Sequence, residues 1–289
     1  RQRMHKAGLT PSDILPARLT QGELDELTKC LRVADVLPLT PVQQGLLFHS
    51  AIAARADSAA AGTALADIYA VQLNLTMTGA VDPRRLYNAM HAVVKRHPNL
   101  VARFCTRFGE PVQVIPADPM ICWQQTEFES TEELERFCAA ERVAACDLAG
   151  KSTFRSALVR TGGDKHRFIL TFHHVVIDGW SLPILLREIF AIYFGQALAP
   201  APSYRGFVSW LAQQDREAAR AAWRKALEGF EAPTLVAPRS VPGSRGVASY
   251  RISDETTRAL GALARSQHTP VRTVLRGAWA KLLMVQTGA

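Results

Sequence analysis

The sequence predicts a mixed α/β protein, an α+β sandwich, and three observations carry that reading. First, 48% of the 289 residues are hydrophobic, ample for a buried core over a length typical of about two domains. Second, IYAVQLNLTMTG (68–79) alternates apolar and polar residues, the period of a strand. STFRSALVR (152–160) and HRFILTFHHVVI (166–177) flank Thr161-Gly162-Gly163-Asp164, as paired strands flank a turn. Third, the segments that follow Pro83, Thr131 and Leu182 show helical spacing of apolar residues.

Each element follows from local chemistry. Residues 1–34 are polar, with a short helical pattern at QGELDELTKCL, and read as a leader or linker. LPLTPVQQGLLFHSAIA (37–53) opens an apolar helix after Pro41, and SAAAGTALAD (58–67) is loop material. Asp82 caps a helix with Pro83 at its first position. That helix buries Leu86, Met90, Val93 and Val94 and stops near His97, because Pro98 disfavours helical geometry before it. LVARFCTRFGEPVQVI (100–115) reads as a hairpin, and TEELERFCAAERVAAC (131–146) as a helix. LPILLREIFAIYFG (182–195) is an amphipathic helix ending at Gly195. A helical segment over 204–228, a Pro/Gly-rich stretch over 232–246, a strand at ASYRIS, a helix capped by Ser253 and a last helix after Pro270 complete the chain. Trp210 and Trp223 fall on apolar stripes and are expected in the core; His91 and His97 are expected to pack rather than bind.

Composition narrows the function. The net charge of +8 comes from arginines scattered along helices, with no basic run among aromatics, so nucleic-acid binding is not expected. A solvated surface is favoured, followed by a basic patch for acidic partners. No apolar run reaches the length of a membrane span, and RQRMHKAGLTPSD lacks the apolar stretch of a signal peptide; a cytoplasmic protein is expected. Cys30, Cys105, Cys122, Cys138 and Cys146 form no metal-ligand spacing and are expected as reduced, mostly buried thiols. Ala145, Gly150, Lys151 and Ser152 satisfy a loose P-loop pattern, but a helix precedes it and a strand follows, the reverse of a nucleotide site.

The stretch FHHVVIDGWS (172–181) carries the densest chemistry. Neighbouring side chains of a strand point to opposite faces, so Phe168, Leu170, Phe172 and His174 share one side and Ile169, Thr171, His173 and Val175 the other. The two histidines therefore cannot chelate one metal, and no metal is expected. Asp178 lies past the strand as a buried carboxylate, Gly179 permits a turn that a side chain would block, and Ser181 caps the next helix.

His173-His174-Val175-Val176-Ile177-Asp178-Gly179 resembles the HHxxxDG signature of nonribosomal peptide synthetase condensation domains, in the chloramphenicol-acetyltransferase-like superfamily. LPLTPVQQGLLFH (37–49) resembles that family's opening motif, RHPNLVARF (96–104) its second, and DLAGKSTFRSALV (147–159) the segment that ends in an arginine, here Arg155. The chain departs from the family pattern at Val101, where arginine is usual, and at Lys151-Ser152, where glycine-proline is usual. GLLFH, and DGWS followed by Leu-Pro, resemble the subtype that takes a D-configured donor and an L-acceptor, and TPSDILPARLTQGELDEL resembles linkers that follow an epimerization domain.

The resemblance implies a two-lobed fold: a leader over 1–34, a motif-bearing lobe over 35–205, and a second lobe beginning at 206–289 and incomplete in this chain. It implies an amide-forming acyltransferase of antibiotic-type peptide biosynthesis. Donor and acceptor peptidyl carrier proteins would deliver thioesters on 4′-phosphopantetheine arms, beside epimerization or adenylation domains, with no cofactor held by the domain itself. By the same resemblance His174 is catalytic, His173 structural, and Asp178 pairs with Arg96 or Arg155. Alternative readings are a related acyltransferase, an epimerization domain, or a non-catalytic docking domain.

Overall fold

A computed structural model describes residues 9–59, 69–148, 153–236 and 249–288. Lys151-Ser152, the small-residue loop from residue 60 and the Pro/Gly-rich stretch from 237 lie outside them. The chain divides into two compact units, Arg1–Gln214 and Asp215–Ala289.

The first unit centres on a four-stranded sheet of order β2-β7-β6-β5, built from β2 (Ala70–Thr78), β5 (Cys122–Glu127), β6 (Phe154–Arg160) and β7 (Lys165–His173). β7 runs antiparallel to β2 and β6, while β5 and β6 are parallel. A parallel pair needs a crossover, which α4 (Thr131–Ala144) supplies. Alternation along β7 divides the core. Phe168, Leu170 and Phe172 pack with Leu86, Met90 and Val93 of α3 (Pro83–Arg96) and with Leu185 and Ile189 of α5 (Ser181–Tyr193). Ile169 faces the other way, with Ala157, Val159 and Cys138 of α4. The sheet is thus covered on both faces, and β7 is buried throughout its second half.

α3 starts where Asp82 accepts hydrogen bonds from the backbone N–H groups of Arg84 and Arg85. Reciprocal caps begin α1 (Gln21–Cys30), through Thr20 and Glu23, and α4, through Ser130 and Glu133. Gly195, at φ 76°, sits just past α5 and its N–H donates to Ile192 O.

A second, three-stranded antiparallel sheet has the order β1-β4-β3, from β1 (Val33–Pro38), β3 (Arg103–Cys105) and β4 (Val112–Pro116). Ile14, Ala17, Leu19, Leu24 and Leu27 pack on Val36, Val112 and Val114, so the stretch expected as a leader carries buried side chains of its own. α2 (Pro41–Ala59) follows β1, and α6 (Tyr204–Ala212) stays with the first unit. Arg205 of α6 pairs with Asp35 and donates to Asp13 O and Leu15 O, tying α6 to β1 and the N-terminal segment.

The second unit contains α7 (Arg216–Ala226), α8 (Asp254–Ser266) and α9 (Val271–Thr287). Several expectations need correction. The helical segment 204–228 breaks at 213–215, because Asp215 caps a new helix by accepting from Glu217 and Ala218 N–H. Residues 249–253 of ASYRIS form no strand: alternation alone makes no ladder, and among the described residues this unit offers no strand to pair with. Trp210 and Trp223 are 55% and 66% exposed, since a helical stripe is buried only where an element covers it. Of the four cysteines whose side chains are described, only Cys138 is buried; burial pushes its thiol pKa up. No described helix is long and apolar enough to cross a membrane.

Candidate active site

The site grows out of the end of β7. The His173 N–H donates to Thr153 O on the β6 side (3.0 Å) and the His174 N–H to Tyr69 O on the β2 side (2.9 Å). Strand-like pairing therefore continues through both histidines, and their rings take opposite sides. The His174 ring meets Phe172 edge to face, whereas the His173 ring meets Tyr69. His173 is fully buried; His174 is half-buried.

Their hydrogen bonds assign opposite tautomers. His173 Nδ1 accepts from the Val175 N–H (3.0 Å), so that nitrogen bears no proton, and Nε2–H points at Ser50 Oγ (3.4 Å). His174 Nδ1 lies 3.1 Å from Ile177 O, which can only accept. Nδ1 therefore carries the proton, and the Nε2 lone pair of His174 is left to take one. His173 holds the turn; His174 has the nitrogen of a general base.

Asp178 departs from expectation. It is exposed, and among the described residues it has no ion pair. Its Oδ1 accepts from the Ser181 N–H (2.8 Å) and its carbonyl from Leu182 N–H (3.2 Å), so Asp178, not Ser181, caps α5. Hydrogen bonding from Ser181 holds the carboxyl below its ordinary range against partial burial, and the nearby His174 ring acts in the same direction. Gly179 is also not demanded by the turn: its φ lies outside the left-handed region, and a Cβ there would meet no atom within 4 Å.

Both arginines expected beside Asp178 are engaged elsewhere. Arg155 on β6 makes a bidentate pair with Glu141 of α4, at 2.9 and 2.8 Å, and Gln124 of β5 adds a 2.7 Å bond to the same carboxylate. Arg96, ending α3, donates to Glu188 of α5 (3.1 Å) and to Ala199 O, while His97 Nε2 meets Glu188 at 2.6 Å. A carboxylate on the facing helix wins each arginine because buried charge requires a partner, and Asp178 is solvated.

Burial raises the Glu188 pKa, but His97 and Arg96 outweigh it, leaving the carboxyl below its ordinary 4.5. A depressed carboxylate stabilises the fold fully above that value and loses its contribution as pH falls through the lowered one. Glu188→Gln should therefore flatten the fall of stability below pH 4.5, seen as a smaller shift of the urea midpoint with acidification.

One part of the site was not anticipated. Gln43 of α2 donates to Val175 O (2.9 Å), inside the turn that bears His174. Gln113 and the Tyr204 phenol surround the same amide. The Thr40-Pro-Val-Gln43 spacing of a capping box was a visible signal, and both of its bonds form. Its reach to Val175, far along the chain, had none. Among the described residues no group of three or more His, Cys, Asp or Glu side chains could hold a metal ion.

The profile of the family described as "Condensation domain" matches residues 33–289. Chondramide synthase cmdD of Chondromyces crocatus is 33% identical over 337 aligned positions, covering 98% of this chain and 8% of that protein. Bacitracin synthase 3 of Bacillus licheniformis is 32% identical, covering 87% of this chain and 4% of that protein. Among solved structures, the condensation domain from the monacolin K polyketide synthase MokA superposes with a TM-score of 0.70 at 20% identity, over 89% of this chain and 61% of that one. The first condensation domain of the calcium-dependent antibiotic synthetase, in complex with a substrate analogue, gives 0.63 at 24% identity, over 88% and 62%. This chain thus spans a small fraction of those synthases and about three fifths of those solved chains. The structural likeness fixes the fold, and the matched span contains both sheets and the whole histidine turn. The chain belongs to the condensation-domain family found in nonribosomal peptide synthetases.

Proposed function

We propose that this chain forms an amide bond between a donor acyl or peptidyl thioester and the α-amine of an acceptor aminoacyl thioester. The observation that carries the reading is the His174 tautomer: Nδ1–H is tied to Ile177 O and Nε2 is left to accept a proton at a strand end. The acceptor amine attacks the thioester carbonyl, the C–N bond forms and the C–S bond breaks. The proton leaves the amine through His174 Nε2 and reaches the departing thiolate. An α-amine has a pKa of about 8, so a useful fraction is neutral near pH 7, and the enzyme needs no nucleophile of its own.

Both thioesters would hang on phosphopantetheine arms of carrier proteins, in the cytoplasm, beside adenylation or epimerization domains. The GLLFH and DGWSLP stretches favour a D-configured donor and an L-acceptor. His173 and Asp178 then hold and cap the turn, while Arg96 and Arg155 brace the helices around it.

The test is to incubate the full parent protein with donor- and acceptor-loaded carriers and follow the acceptor carrier by intact-protein mass spectrometry. The expected product is a dipeptidyl thioester on that carrier, formed faster from the D-donor. Transfer only to a soluble amine or alcohol would instead indicate a free-acceptor acyltransferase. Deuterium exchange at the donor α-carbon without bond formation would indicate epimerization, and no chemistry would leave a docking domain.

A further inference from the structure

The peptide unit joining Val175 to Val176 is gripped at both ends: its carbonyl accepts from Gln43 Nε2 (2.9 Å) and its N–H donates to His173 O (3.1 Å). The N–H one residue earlier is held by His173 Nδ1. The Gln43 end of this clamp comes from a different element, and it is itself fixed. Gln43 Oε1 accepts from Thr40 N–H (2.9 Å) and from Gln113 Nε2 (3.3 Å), which in turn donates to Pro38 O (3.0 Å). The Tyr204 OH stands 3.3 Å from Gln43 Nε2 and donates to Gln113 Oε1 (3.2 Å). Burial pushes the Tyr204 phenol pKa up and so keeps it a neutral donor.

Gln43 and Gln113 are 7% and 1% exposed. Two buried amides and a phenol converge around a hydrogen bond to one carbonyl of the turn. Apolar residues of the same volume would fill this space without the desolvation penalty of polar groups. The carbonyl they hold lies two residues before Ile177 O, the acceptor that sets the His174 tautomer. If the Val175–Val176 peptide rotates, Ile177 O leaves Nδ1 and the ring is released to the tautomer that cannot take a proton at Nε2.

We infer that Gln43 is a positioning residue for His174: its amide anchors the Val175 carbonyl, which keeps Ile177 O on Nδ1 and Nε2 unprotonated. The inference rests on the role proposed for His174. Gln43→Met, in the full parent protein, is expected to lower kcat by about 10- to 100-fold with little change in the KM for loaded carriers, as expected when reacting groups are misplaced. In the His174→Ala background the same substitution should have no further effect, because its action passes through that ring. Hydrogen exchange by mass spectrometry should quicken in the peptide covering 173–178 and remain unchanged along 165–172.

Tyr204→Phe keeps the ring and removes only the hydroxyl, so it serves as the second variant should Gln43→Met fail to fold; its kcat should fall less than that of Gln43→Met, and again not at all without His174. A kcat within about threefold of wild type in the Gln43 variant, or an effect that persists in the His174→Ala background, overturns the inference. So does exchange that quickens equally along β7. The exchange measurement needs no turnover, so it reads the clamp even if the condensation reading itself fails.

Discussion

His174→Ala is expected to lower the rate of dipeptidyl-thioester formation by about 10²- to 10⁴-fold and to leave residual activity. The magnitude follows from what the ring supplies. In the proposed reaction its Nε2 takes one proton from an amine whose conjugate acid has a pKa of about 8, so no strong cation must be deprotonated beforehand. Positioned proton transfer accounts for the range stated. Holding two tethered reactants in line can contribute about 7–11 kcal/mol, and that term survives loss of the imidazole. Single-turnover measurements at saturating loaded carriers check this. A His174→Ala rate within about tenfold of wild type would place the proton transfer elsewhere. His173→Ala acts differently: it strips the acceptor from the Val175 N–H in a fully buried position, so stability falls together with rate.

What the sequence reveals here follows from how local the physics is. α3 could be bounded closely because Asp82, Pro83 and Pro98 act within a few residues of themselves, and the structure places the helix at Pro83–Arg96. The β6–β7 hairpin was legible from its turn and from β-branched and aromatic residues. β1 and β5 were not read as strands. CWQQTE is largely polar, and β5 exists because β6 offers a parallel edge and because Gln124 finds the Glu141 carboxylate. The histidine pair stood out as a motif, yet its partners did not. Glu141 and Glu188 lie on helices whose facing the sequence does not reveal, so Arg96 and Arg155 both stand as candidates for Asp178, although Glu188 of α5 holds the first and Glu141 of α4 the second. The Gln43 contact was invisible for the same reason: it spans 132 residues.

Replacing Arg155 by methionine destabilises the first unit by about 3–5 kcal/mol, whereas the double change Arg155→Met with Glu141→Met is close to neutral. The pair is bidentate, its side chains are 11% and 6% exposed, and the bond to Glu141 outweighs burial in raising the guanidinium pKa. Removing one partner leaves Glu141 as a buried charge with only Gln124 to satisfy it, while removing both leaves two apolar chains between α4 and β6. Because the chain forms two units, a single unfolding midpoint is not a clean measure, and native-state hydrogen exchange of the β6 amides should be used. Equal losses in the single and double variants would mean that packing rather than charge fixes α4 on the sheet. The same experiment separates structure from chemistry. Per folded molecule, the condensation rate of Arg155→Met should match wild type, since Arg155 braces the sheet from the α4 face while His174 and Phe172 share the other. A rate that falls while the fold holds would return Arg155 to the site.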